Sequence, residues 1–379
     1  MRTNAPEQRV PELDGLRGVA IALVLALHLV IRPNLKAWTH LLGAGPASLL
    51  NMAWCGVDIF FVLSGFLIGG IVFDRRGANN FYVAFYSRRT TRIFPAYFLL
   101  IGLAFLLTPG LDDSYAAFSW PRPIGGDVPL AGYVTFTANL YSASGFITSD
   151  WLGPVWSICI EEQFYLLAPF LLRRVAWRAV PWALCVAILG SASLRSMWML
   201  ELIPHRFAAW DFTLTRLDGL GLGVLGAYLV RTPRFVSWVA GHRLALKVAL
   251  AALVLASVWL SQQARPILIG PGILLLSLTA LVTILTLRAD PHSCLARGLR
   301  LRSLVTLGKY SYFLYLFHMP VDWIADVLLS SYGAPAPLAP IATCLMLAGL
   351  ALLSWRHLES PMLRIGHRVR YQAADRLSG

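Results

Sequence analysis

The chain has 379 residues, of which 57 % are hydrophobic and 13 % charged. That charged share is about half of what soluble globular chains carry, which excludes a string of soluble domains and predicts a polytopic membrane protein. Lysine and arginine number 32 against 19 acids, a formal net charge of +13, so nucleic-acid binding has to be weighed against membrane topology.

In chain order, apolar runs of bilayer-crossing length are predicted at 13–31, 53–73, 92–108, 152–172, 180–198, 213–230, 244–261, 266–287, 303–329 and 337–355. The third contains Pro95, and the sixth opens beside charged residues. With the N-terminus in the cytoplasm, most basic residues fall on the cytoplasmic side, among them Arg75, Arg76, Arg88, Arg89, Arg92, Arg173, Arg174 and Arg231. The outer side receives only Arg32, Lys36, Arg122, Arg195, Arg206 and Arg265. The positive-inside bias thus predicts an all-α membrane protein: a single bundle of about ten transmembrane helices, N-in and C-in. Topology accounts for the charge, and nucleic acid is set aside as a partner. Residues 1–364 form the expected transmembrane domain and 365–379 a short cytoplasmic tail. The five cysteines (Cys55, Cys159, Cys185, Cys294 and Cys344) lack paired spacing, so neither a disulfide framework nor a metal site is expected. No cleavable signal peptide is expected, because the first run carries Arg17 and His28. The Pro/Gly/Ser-rich segment 109–151 reads equally as part of a substrate-facing outer rim or as a connector.

Ionisable residues at membrane depth are costly and are functional candidates. Arg17 and His28 are eleven residues apart on the first helix, which places them on one face about 16 Å apart. Asp58 is expected in the outer part of the second helix, level with His28. Glu161 and Glu162 are adjacent on the fourth, so only one of them can face a given cavity squarely. Arg216 and Asp218 open the sixth, and His318 lies in the outer half of the ninth. Five helices thereby carry polar groups to similar depth, as a buried catalytic or transport site would require. At the cytoplasmic end of the third helix, Arg88, Arg89 and Arg92 form a cluster suited to phosphates.

These motifs, in order, are LDGLRGVAIALVLALH, GVDIFFVLSGFLI, the RRTTR run with IFPAY, PVWSICIEEQFYLLAP, RLDGLGLG, LGKYSYFLYLFHMP and LESP. Over nearly its whole length the chain resembles the integral-membrane acyltransferase 3 family, bacterial O-acyltransferases of surface polysaccharides and related acceptors. The resemblance implies a multi-pass protein of the bacterial inner membrane that takes an acyl group, commonly acetyl, from cytoplasmic acyl-CoA to a hydroxyl on the outer side. His28 corresponds to the family's essential histidine and Arg17 to its partner, and the Arg88, Arg89 and Arg92 cluster to the proposed CoA-phosphate contact. The additional extracytoplasmic esterase-like domain of some members is expected to be absent. On this reading acyl-CoA is a donor substrate, and no tightly bound cofactor or metal is expected. The lipid bilayer is a partner, the acceptor is a glycan or small hydroxylated molecule, and the oligomeric state is left open.

His28 would act as general base or as transient acyl carrier. Asp58 would orient it, with Glu161 or His318 as a secondary proton partner, and Arg216, Asp218 and Trp156 would lie on the acceptor side. The rival reading is a proton-coupled secondary transporter, which also buries His, Asp and Glu. It predicts two related halves, which the sequence does not display.

Overall fold

Helix formation follows directly from the long apolar runs, because a backbone in lipid must satisfy its own polar groups. The computed structural model describes residues 10–115, 126–204 and 207–372. Its principal helices are α1 (Pro11–Ile31), α2 (Ala44–Arg75), α3 (Phe81–Leu107), α4 (Val155–Arg174), α5 (Trp177–Met199), α6 (Leu217–Leu229), α7 (Arg243–Leu260), α8 (Gly272–Ala289), α9 (Arg302–Ser331) and α10 (Ala339–Arg368). Among the described residues nine are long and apolar enough to cross a bilayer, and α6 is the shorter apolar one.

The predicted sixth span is therefore corrected. Its regular part has 13 residues, about 20 Å of rise, against roughly 30 Å of hydrocarbon. A separate 3-10 turn, Thr213–Thr215, precedes it. The short helix is enclosed by protein, and glycine makes that possible. A Cβ on Gly65 of α2 would collide with the Leu220 carbonyl, and one on Gly223 of α6 with the Val62 carbonyl. The two backbones are in direct contact, as small residues allow between membrane helices. Gly65→Val is accordingly expected to destabilise the bundle by about 1–3 kcal/mol or more. A lowered unfolding temperature in detergent would register it, and a wild-type melting curve would refute this account of the interface.

The same device sets α1 against α9. Gly18 abuts the Leu304 carbonyl and Gly308 the Asp14 carbonyl. The two helices run in the same direction from that contact. At 1.5 Å per residue, positions 28 and 318 arrive at the same height.

One end of the bundle is basic and tightly tied. Arg300 donates to Glu12, Arg231 to Asp74 at 2.6 and 2.8 Å, and Arg173 Nε to the Arg76 carbonyl at 3.0 Å. Lys247 pairs with Asp290 at 2.8 Å. The tail boundary expected at 364 falls inside a helix, because Ser360–Arg368 continues beyond it. Gly366 packs on Thr91 of α3, and Asn80 donates to the Arg370 carbonyl. In the segment 109–151, positions 116–125 lie outside the described residues. The part after them forms two short helices, Leu130–Val134 and Ala138–Ala143. It is built into the bundle: Tyr97 donates to the Tyr133 carbonyl at 2.7 Å, and Gln163 to the Phe136 carbonyl at 2.7 Å.

Candidate active site

A cavity of about 610 Å³ opens toward the basic end, with Arg17, Arg89, Arg92, Arg231, Lys309 and His367 on its walls, facing Asp14, Asp74 and Glu359. Arg17, Arg89, Arg92, Leu67 and Tyr312 also line a second, deeper chamber of about 90 Å³. The two spaces are thus consecutive, and guanidinium groups from α1 and α3 stand at their junction. The RRTTR run offers two helical neighbour pairs, 88/92 and 89/92. Only the second pair lines both spaces. Arg88 donates to the Val369 carbonyl at 3.2 Å with its guanidinium 4.8 Å from the Tyr371 ring centre, and with Arg89, Arg92 and His367 it lines a smaller pocket of about 70 Å³.

Glu161 lies in the wall of the deeper chamber. Ser64 of α2 donates to its Oε1 at 2.6 Å, and the Tyr165 hydroxyl lies 3.1 Å from its Oε2 and 3.0 Å from Ser64 Oγ. Glu162 is directed elsewhere, its Oε1 buried without a hydrogen-bond partner among the described residues. The 100° step between adjacent helical residues separates them, as anticipated. Several hydroxyls on these helices bond back to the carbonyl four residues earlier, as Thr279 and Thr283 do. Ser64 instead spends its proton on a carboxylate from another helix. The chamber continues past Ser157 and Tyr315, whose hydroxyls share a hydrogen bond of 2.6 Å.

Beyond Tyr315 lies a pair of imidazoles. The Tyr315 ring centre is 6.0 Å from that of His318, and His318 is 5.0 Å from His28. His28 occupies a π-helical turn, Leu27–Ile31, at the far end of α1. Such turns recur at functional sites because they re-aim a side chain. His28 Nδ1 faces the Val24 carbonyl at 2.9 Å, and Arg32 Nη1 is 3.5 Å from Nε2. His318 is fully buried, with Nδ1 2.7 Å from the Tyr315 carbonyl and Nε2 without a partner among the described residues. Arg17 stays at the chamber, 3.3 Å from Asp14, so the expected separation along α1 is kept.

Asp58 does not orient His28. Its Oδ1 accepts from Arg216 at 2.7 Å. The sequence reading started α2 at residue 53, whereas the helix begins at Ala44 with a 3-10 turn at Met52–Cys55. Asp58 is consequently deeper than expected. Gly56 already abuts Ala20 and Val24, inward of His28. Nor do Arg216 and Asp218 face an open acceptor side, since both are 1 % exposed. Arg195 Nη2 holds Asp218 at 2.6 Å. Arg216 is ringed by Trp210, Phe61 and Trp156 at 5.0, 5.3 and 5.6 Å. Trp156 is thus a wall of an internal arginine cage. Among the described residues no three of His, Cys, Asp and Glu converge as a metal site would need.

A family model described as an acyltransferase domain matches residues 10–355. The chain belongs to the acyltransferase 3 family. Its curated relatives include the peptidoglycan O-acetyltransferase OatA of Listeria monocytogenes, 27 % identical over 96 % of this chain and 57 % of that protein. Another is the O-acetyltransferase OatA of Staphylococcus aureus, 28 % identical over 95 % of this chain and 58 % of that one. The chain therefore spans little more than half the length of these relatives. No solved structure matches it significantly.

In this acyltransferase 3 chain, sequence reasoning missed Ser64, Tyr165, Ser157 and Tyr315, all of which line the deeper chamber. Hydroxyls in apolar runs look like filler. The signal available was helical spacing: Ser157 and Tyr165 each stand one turn from Glu161, and Tyr315 stands three residues before His318. Lys309, which the sequence did not single out, lines the vestibule with its ammonium 4.3 Å from the Trp355 ring centre.

Proposed function

We propose that the protein transfers an acyl group, acetyl foremost, from acyl-CoA to a hydroxyl of a carbohydrate-type acceptor, with the basic end toward the cytoplasm of an inner-membrane protein. The observation that carries this reading is the line from a cationic vestibule, through a chamber walled by Arg17, Arg89 and Arg92, toward the His28–His318 pair. Acyl-CoA phosphates would bind the arginines at the junction, since guanidinium offers multidentate donors. The pantetheine arm, when extended, is comparable with the roughly 16 Å rise from Arg17 to His28. His28 would then activate the acceptor hydroxyl or carry the acyl group in transit. The two relatives, both O-acetyltransferases and one of them of peptidoglycan, favour acetyl and a glycan.

The test is CoA release from acetyl-CoA by the purified protein in nanodiscs, with and without cell-wall glycan fragments, together with ester formation on the glycan. Glycan-dependent release supports the reading. Binding or uptake of a solute with no thioester cleavage would replace it with the transporter. If the phosphate assignment is right, Arg89→Ala with Arg92→Ala should raise KM for acetyl-CoA roughly tenfold or more, each lost charged hydrogen bond being worth about 1.5–3 kcal/mol. An unchanged KM would move the phosphate site elsewhere, while a change confined to kcat would place these arginines at the reacting centre.

A further inference from the structure

The two imidazoles are not equivalent, and their hydrogen bonds say how they divide the work. A carbonyl oxygen can only accept, so the ring nitrogen facing it carries the hydrogen. His28 Nδ1 faces Val24 and His318 Nδ1 faces Tyr315. In both neutral rings the lone pair is therefore on Nε2. At His28 that atom lies 3.5 Å from the Arg32 guanidinium and the side chain is partly exposed. At His318 the ring is fully buried and Nε2 has no donor among the described residues. A buried acceptor without a donor is costly and calls for an explanation. With a ring-centre separation of 5.0 Å, a group attached to one ring can be reached by a group hydrogen-bonded to the other.

We propose that His28 Nε2 is the nucleophile that takes the acyl group, and that His318 Nε2 is the base that binds and deprotonates the acceptor hydroxyl. This rests on the acyl-transfer reading above. In the first step the His28 lone pair attacks the thioester carbonyl carbon. A C–N bond forms as the C–S bond breaks, CoA leaves as thiolate, and the ring becomes an N-acylimidazolium that keeps its Nδ1 hydrogen on Val24. Arg32 stands where the carbonyl oxygen gathers negative charge. In the second step the acceptor O–H donates to His318 Nε2 and its oxygen attacks the acyl carbon. The C–N bond breaks, the ester departs, and His28 recovers its lone pair. The proton now on His318 passes to the thiolate, directly or through water, so thioester and alcohol have become ester and thiol. The orphaned lone pair of His318 is then the binding point for the acceptor hydroxyl.

The roles separate by quenching reactions with radiolabelled acetyl-CoA. Without acceptor, wild type should release roughly one equivalent of CoA and retain label on the peptide containing His28, the burst expected of a covalent intermediate. His318→Asn can still donate to the Tyr315 carbonyl but has no Nε2. It should keep the burst and lose acceptor turnover at least about a hundredfold. His28→Asn should lose both. Turnover of His318→Asn near the wild-type rate, or a burst surviving in His28→Asn, would overturn the assignment. So would label mapping to another residue in the wild type, a readout independent of whether either variant folds. A wild type that never cleaves acetyl-CoA, with or without acceptor, would instead defeat the acyl-transfer reading itself.

Discussion

Replacing His28 by alanine is expected to reduce acylation of the acceptor by at least about a hundredfold, the usual scale for losing a positioned base or nucleophile. The protein should still fold. The side chain is partly exposed at the far end of α1, and its ties to the protein are one bond to the Val24 carbonyl, a long contact with Arg32 and the ring contact with His318. Losing such a bond costs about 0.5–1.5 kcal/mol, less than a buried-charge lesion in the same bundle. The unfolding temperature should therefore fall by only a few degrees while ester formation on the glycan disappears. Wild-type ester yield from the alanine variant, measured by mass spectrometry of the acceptor, would remove the imidazole pair from the mechanism. A variant with normal chemistry and a collapsed melting curve would make His28 a structural residue.

What the sequence made legible was whatever depends on helical arithmetic alone. The eleven-residue step from Arg17 to His28 needs only a continuous helix, and α1 supplies one up to its π turn. Depth across different helices was less legible, because it depends on where each begins. Contact between the His318 and His28 rings follows from the glycine-mediated register of α1 and α9. Asp58 was placed too high, because the stretch before residue 53, which contains Gly45 and Pro46, is helical as well. Hydropathy over bilayer-length windows likewise had no means of showing that α6 is 13 residues long and sheltered by its neighbours. The Arg88, Arg89 and Arg92 run was visible as a cluster, but choosing which two face the chamber required the C-terminal helix that draws Arg88 aside. The Ser64–Glu161–Tyr165 network had no detectable spacing between α2 and α4, since positions 97 residues apart meet only in the folded bundle.

The interior arginines carry the second large expected effect, and it distinguishes two charge pairs that look alike in sequence. Asp58→Ala should destabilise the bundle by about 3–5 kcal/mol, the cost of stranding a buried charge. Arg216 is 1 % exposed; among the described residues its Nη2 donates to Asp58, while Nε and Nη1 have no partner. Three aromatic rings around the guanidinium offer cation–π attraction, about 2 kcal/mol or more when desolvated, which does not replace a missing counter-charge. Arg195 is differently placed. Besides Asp218, it donates Nε to the Ile269 and Gly270 carbonyls at 3.0 and 2.9 Å, and Nη1 to the Thr215 carbonyl. Asp218→Ala leaves those contacts intact, so its cost should be smaller than that of Asp58→Ala. Replacing both partners, Asp58→Leu with Arg216→Met, should recover much of the loss, because apolar groups of similar volume carry no desolvation penalty. Thermal unfolding in detergent of these variants gives the ranking. Equal losses for Asp58→Ala and Asp218→Ala would mean that the carbonyl contacts of Arg195 contribute nothing. Failure of the double replacement to recover stability would mean that the Asp58–Arg216 pair does more than neutralise itself, and that the aromatic cage needs the guanidinium to hold the α6 entrance in place.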